Sequence, residues 1–462
     1  MNYREFWDGF LRNRSGNFIP KVTVIRRNVL NLATKCNFVD GEGKKDCQGK
    51  RLLRACKRHI LSIVCEGKRG AKEKGFQRIE HRETTERPQY YDKGTDKMSK
   101  KHIDLNNKTI LVTGSPGFIG ANLVLRLLST LTSGTVVSFD NMNSYYDVGL
   151  KEYRLRLIEE AAKTSKAEHI FIKADLADKA AVDDVFKTYK PSIVVNLAAQ
   201  AGVRYSIDHP EDYINSNIIG FFNILEACRH SYDHPDSGYV GVEHLVYASS
   251  SSVYGGNKKV PFSVDDKVDN PVSLYAATKK SNELLAHSYS KLYNIPSTGL
   301  RFFTVYGPAG RPDMFYYSAT QRLSRGEKIQ IFNYGNMKRD FTYVDDIVEG
   351  VVRVMQGAPE KAMGSDGLPV PPYAVYNIGG GTPENLLDYV ATLQEELVRA
   401  GVLNSDYDFE GHRELVGMQA GDVPITYADS EALEQDYGFR PTIDIRTGLR
   451  RFAEWYKEYY KV

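Results

Sequence analysis

This 462-residue sequence predicts a doubly wound α/β fold around a parallel sheet, with a smaller C-terminal α/β domain. Three observations predict it. From residue 98 onward, short apolar strands alternate with apolar-periodic helical stretches, the rhythm of βαβ units. The first strand runs into Gly114-Ser-Pro-Gly117-Phe-Ile-Gly120 and then a helix, the order in which a backbone turn can approach a pyrophosphate. The next strand ends on Asp140, 20 residues after Gly120, where a carboxylate can bind adenosine ribose hydroxyls and repel a 2′-phosphate. Together these make the sheet Rossmann-type and favour NAD over NADP.

In order, the strands are expected at Lys108–Thr113, Thr135–Asp140, Ile170–Ala174, Ser192–Ala198, His244–Ala248 and Ser297–Phe302. The first helix is Phe118–Leu128, and a long one carries Tyr275 and runs to Tyr293. Beyond Tyr306 the rhythm breaks into shorter elements. Residues 340–356 read as a return to the first domain, with Asp345 capping a helix that continues through Val351. Gly364–Pro372 is a Gly/Pro-rich loop, and Asn385–Ala400 and Thr447–Tyr459 are late helices. The division is therefore 98–303 for the cofactor domain, with the return segment, and 304–462 mostly for a substrate-binding domain.

Hydrophobic content of 42% and charged content of 26% are ordinary for a globular protein. No stretch approaches the roughly 18 apolar residues of a membrane helix, and Leu61–Val64 is too short for a signal peptide, so a cytoplasmic protein without membrane partner is expected. Charge is uneven. Residues 1–97 hold 23 Lys+Arg against 12 Asp+Glu; the remainder holds 38 against 46. A basic arm can seek nucleic acid, but this one has no groove-reading motif or aromatic repeat. Cys36, Cys47, Cys56 and Cys65 lie there without Cys-x-x-Cys spacing, so neither zinc nor a disulfide framework is supported. Apart from short candidates in 51–64 the segment has no sustained period, and 66–97 is Lys, Arg, Glu and Gly rich. It reads as an extension, disordered or from a misassigned start, with Met98 ten residues before the first strand.

Tyr275 and Lys279 are four apart on one helix face. A tyrosine acting as base near neutrality needs its pKa of about 10 lowered by about three units, worth about 4 kcal/mol, which a neighbouring ammonium and a bound nicotinamide cation can supply. In isolation such a pair is an incidental surface feature; behind a glycine turn it is not. The run Ser249–Ser252 follows the strand at 244–248, and a hydroxyl at a strand's carboxyl end faces the crevice of such sheets. A hydroxyl of this run can pass a proton between substrate and Tyr275; the alternative is a plain turn. His209, His230 and His234 are scattered, and no metal site is expected.

The chain resembles the extended short-chain dehydrogenase/reductase family of nucleotide-sugar epimerases and dehydratases, and within it the UDP-glucuronate 4-epimerases. The resemblance runs from about Asn107 to Lys461. It is carried by TGSPGFIG (Thr113–Gly120), NLAAQAGVRYS (Asn196–Ser206), YASSSSVYG (Tyr247–Gly255), SLYAATKKSNE (Ser273–Glu283), LRFFTVYGP (Leu300–Pro308), GRPDM (Gly310–Met314) and RDFTYVDDI (Arg339–Ile347). It implies NAD contacts from Gly114, Gly117, Phe118, Ile119, Gly120, Asp140, Asn141, Asp175, Leu176, Ala198, Tyr275 and Lys279. It also implies UDP-sugar contacts from Arg204, Ser250, Arg311, Arg339 and Asp422, and a homodimer through the helices at 213–229 and 273–293.

Similar dehydratases and decarboxylases place an acid before Val-Tyr-Gly; Ser250–Ser252 stand here, so proton transfer for loss of water has no evident agent. Arg311 offers a planar fork for a carboxylate. The implied reaction is inversion of C4 of UDP-glucuronate to UDP-galacturonate through a 4-keto state. The alternatives are a UDP-glucose-type epimerase, a decarboxylase, or a nucleotide-binding protein without catalysis. Ala309 stands where the family usually has tryptophan, and Tyr316–Tyr317 is also unusual, which bears on sugar choice.

Overall fold

The computed structural model describes residues 99–233, 239–364, 366–418 and 423–462. The segment 1–97 with its four cysteines, His234 and Asp422 lie outside the described residues. Seven parallel strands form the main sheet: β1 (Thr109–Thr113), β2 (Thr135–Asp140), β3 (Glu168–Lys173), β4 (Ile193–Asn196), β5 (His244–Ser250), β6 (Ser297–Phe302) and β7 (Tyr373–Ile378). Their spatial order is β3-β2-β1-β4-β5-β6-β7. The order reverses between β1 and β4, so the crevice above their carboxyl ends is where a ligand binds in such sheets.

Continuous apolar strands are what a sheet covered on both faces needs. Ile110 and Val112 of β1 pack on one side with helices α1 (Phe118–Thr130) and α2 (Val148–Thr164). Leu111 points to the other, with α3 (Lys179–Tyr189), α4 (Gly220–His230) and α5 (Leu274–Tyr293). Ser273 caps α5 by accepting from the amide of Ala276, and Asn294 closes it in the left-handed conformation ahead of Pro296. Beyond β6 follow α6 (Phe315–Ser324), α7 (Val344–Met355), α8 (Leu386–Ala400), α9 (Glu431–Tyr437) and α10 (Ile445–Tyr460), with short strand pairs between them.

The structure corrects four expectations. β7 comes from the C-terminal region and was not foreseen. Its partner β6 lies some 70 residues upstream, a distance no local pattern reports. The loop at 364–372 includes a short pairing of Ala362–Met363 with Pro369–Val370. Asp345 does not cap α7: it lies in the first turn, paired with Arg451 at 3.2 Å, and Asp346 instead holds the amides of Thr442 and Ile443. The helix expected at 213–229 is interrupted by a π-helical turn at Ile214–Ile219, in which Asn217 is buried.

Candidate active site

A cavity of about 1190 Å³ opens over the carboxyl ends of the strands. Its first wall is the turn between β1 and α1. Gly114 has φ +73°, and a side chain there would meet the amide of Ala198 at 2.7 Å. A side chain at Gly120 would meet the carbonyl of Gly114 at 2.2 Å, and one at Gly117 the same oxygen at 2.8 Å. These close approaches leave the N-terminus of α1 bare. Its first turn holds no acidic residue, so its amides and dipole face the cavity, as a pyrophosphate requires. Phe118, Ile119, Leu176 and Ala198 line the same region. Asp140 ends β2, and its Oδ1 accepts from the amide of Met142 at 2.6 Å with Lys151 Nζ at 3.8 Å. Burial pushes its carboxyl pKa up, and the ammonium opposes that. Asn141 donates to Asp175 at 2.8 Å, and Asp175 also accepts from the amide of Ala177. The chain thus fits a dinucleotide with an unphosphorylated ribose.

The second wall brings Tyr275, Lys279 and Ser250 together. Lys279 is buried, and its ammonium donates to the carbonyl of Ala248 at 2.9 Å. Burial brings its pKa down to about 8. Burial raises the Tyr275 pKa, against a hydrogen bond with Ser250 and the charge of Arg311. The lowering of Tyr275 expected from Lys279 is therefore not supplied by the protein alone, because the ammonium is aimed at the strand end. The serine run divides: Ser249 turns inward to Glu283 at 2.7 Å, while Ser250, which accepts from the amide of Ser252, lines the cavity.

The third wall is the segment after β6. Arg311 lines it, held side-on by Asp313 through Nε at 3.0 Å and Nη2 at 2.5 Å. Arg204, stacked over Phe332 at 5.2 Å, and Arg339, which donates to the carbonyls of Lys338 and Pro424, line the far end. Asp422 lies outside the described residues, so nothing places it. Ala309 is buried with φ +50°, and Tyr316, also buried, hydrogen-bonds Gly307 beneath it. His209 stacks on Tyr205 and His230 pairs with Asp233. Among the described residues no His, Cys, Asp or Glu cluster is arranged for a metal, and no helix is long and apolar enough to cross a membrane.

Several residues escaped sequence reasoning. Asn217 donates to Thr278 Oγ1 and to the Gln200 carbonyl, both at 3.0 Å, and its own carbonyl accepts from Asn282, tying the cavity floor to α5. Arg154, 1% exposed in α2, donates to the carbonyls of Pro116, Ala309 and Gly310 and to the Tyr146 hydroxyl. Lys151, Tyr145 and Asp313 reach the cavity from different segments. Charged residues on the buried face of α2 are the available signal, and it points to Lys151 and Arg154.

The sequence pattern of the NAD dependent epimerase/dehydratase family matches residues 110–379. Protein CapI of Staphylococcus aureus is 46% identical over 358 residues, covering 76% of this chain and 99% of that one. The probable UDP-glucuronate 4-epimerase of Rhizobium meliloti (strain 1021) is 41% identical over 359 residues, covering 76% and 97%. The structure is similar to that of the UDP-glucuronic acid 4-epimerase from Bacillus cereus in complex with UDP-glucuronic acid and NAD. The TM-score is 0.63 at 29% identity, covering 76% of this chain and 100% of that one.

Proposed function

The chain belongs to the NAD dependent epimerase/dehydratase family, and from that premise we infer that it is an isomerase inverting C4 of UDP-glucuronate to give UDP-galacturonate. The carrying observation is one cavity that brings Tyr275, Lys279 and Ser250 at the strand ends together with Arg311, opposite the glycine turn. Gly114, Gly117, Gly120, Asp140 and Asn141 would hold NAD, whose chemistry is reversible hydride acceptance. Tyr275 would take the proton of the 4-hydroxyl as C4 is oxidised and give it back to the same oxygen when C4 is reduced from its other face, with Ser250 bridging to the sugar. Lys279 holds the end of β5 and adds positive charge to Tyr275 once the ring is ionised. Arg311 binds the C6 carboxylate; Arg204 and Arg339 serve the diphosphate and uridine end. Asp313 lines the cavity but is ion-paired with Arg311, and Glu283 behind Ser249 is ion-paired with Arg301, which disfavours loss of water.

A homodimer is part of this reading. On α5, α4 and the helical stretch before α4, Ile207, Ile214, Phe222, Leu284 and Leu292 are all exposed. Phe221 and Leu225 of α4 are buried against the sheet. A second copy of this face would cover the exposed set.

Tyr275→Phe is expected to leave UDP-glucuronate affinity nearly unchanged and to lower kcat by roughly a thousandfold, within the range for loss of a general base. Arg311→Ala strands a carboxylate, a cost of about 3–5 kcal/mol, so turnover of UDP-glucuronate should fall at least about a hundredfold. Any activity on UDP-glucose should fall far less. Equal losses on both sugars would remove Arg311 from carboxylate recognition.

A further inference from the structure

Arg311 does not stand alone in the cavity. Its Nε and Nη2 are both engaged by Asp313, whereas no described residue takes a hydrogen bond from Nη1. The two side chains keep 25% and 33% of their surface, and both line the cavity. Asp313 is itself held: Tyr145 donates its hydroxyl to Oδ2 at 3.2 Å. Burial and the Asp313 charge both raise the Tyr145 pKa, so the phenol stays a donor. Its ring is fixed edge-on by Tyr205 at 4.7 Å, and its hydroxyl lies over Gly202, where a side chain would meet it at 2.6 Å.

Tyr145 belongs to the loop after β2, the loop that shapes the ribose end. There Asn141 binds Asp175, Asn143 accepts from Lys151 at 2.8 Å, and Met142 donates to Asp140. The next residue, Tyr146, accepts from Arg154 at 2.7 Å, and Arg154 grips both Pro116 in the glycine turn and Ala309–Gly310 just before Arg311. The sugar segment is thus fastened to the cofactor half at two points.

We propose that Asp313, steadied by Tyr145, is a positioning residue that aims the free edge of Arg311 at the sugar carboxylate and makes sugar choice depend on the cofactor loop. This rests on the carboxylate reading of Arg311 given above. An arginine carries about 2 kcal/mol of rotamer entropy. Fixing it side-on before the ligand arrives removes that cost from binding an acidic sugar and changes little for a neutral one.

The test uses the full chain with NAD bound. Tyr145→Phe removes one hydrogen bond and keeps the ring packing; Asp313→Asn keeps the shape and loses the charge. Calorimetric Kd for UDP-glucuronate should rise about fivefold and about tenfold respectively, as expected for charge-assisted hydrogen bonds. KM should rise with it more than kcat falls, and Kd for UDP-glucose should move less than about twofold. In an Arg311→Ala background both substitutions should lose most of their effect. Equal weakening of both sugars, or no change in either, overturns the proposal. Tighter binding of UDP-glucuronate by Asp313→Asn also overturns it, since Asp313 would then be a competitor for Arg311. If Arg311→Ala itself fails to separate the sugars, the carboxylate reading falls. If it separates them and the other two do not, only the positioning role falls.

Discussion

Lys279 carries the clearest conflict between stability and function at the scale of single residues. It is 3% exposed, and burial brings its pKa from 10.5 to about 8. A lysine depressed in the folded state is protonated more readily in the unfolded chain. Its ammonium therefore costs stability at every pH below about 8, and the cost fades as pH rises through 8 toward 10.5. The shift corresponds to about 3 kcal/mol, partly offset by the bond to the Ala248 carbonyl, which the charge itself makes. Lys279→Met should abolish turnover yet be more stable than wild type in urea at pH 7, by on the order of 1 kcal/mol. That advantage should shrink by pH 10. A methionine variant whose difference from wild type is the same at pH 7 and pH 10 would mean that the ammonium is not the source. Tyr275 and Lys279 were legible from their spacing of four, but the aim of the ammonium at a strand end was not.

At the scale of elements, α5 is registered on the sheet by one buried ion pair. Tyr275, Lys279 and Glu283 recur every four residues on one face. Glu283 closes that face by accepting from Arg301 of β6 at 2.7 and 2.9 Å, from Ser249 and from Lys280. Arg301 reaches on to the hydroxyl of Tyr254 at 2.9 Å. Glu283→Gln should cost about 3–5 kcal/mol, because it leaves Arg301 buried without its counter-charge. The denaturation midpoint measures this; a change under about 1 kcal/mol would mean that water compensates Arg301. The spacing of four on the helix could be read beforehand. Its partner could not, since Arg301 sits in a strand whose other residues give no sign of a charge.

For the whole molecule, the described residues build their own core from Ile103 onward, and the strand Lys100–His102 pairs with Gly357–Pro359. A chain of residues 98–462 is therefore expected to be soluble and as active as the full one, with turnover as the measure; loss of folding or of activity would make residues 1–97 part of the enzyme. The exposed set around Phe222 and Leu284 predicts a dimer at micromolar concentration by light scattering. Leu284→Asp places a charge in the middle of that face and should give monomers. A monomeric wild type would rule the dimer out.

The sequence by itself determined the sheet's first six strands, the glycine turn with Asp140, and the Tyr275–Lys279 pair. Each is encoded within a few residues by periodicity, by backbone freedom at glycine, or by helical spacing. Tertiary structure alone decided what joins them. It supplied β7 from 70 residues downstream of β6, the hold of Lys279 on the Ala248 carbonyl, and the inward turn of Ser249 to Glu283. It also supplied the Tyr145–Asp313–Arg311 chain, whose members come from two segments more than 160 residues apart. The physical reason is common to all four. A hydrogen bond or ion pair across the fold needs two groups at about 3 Å, and sequence patterns report only which face of its own element a group occupies, not what stands opposite.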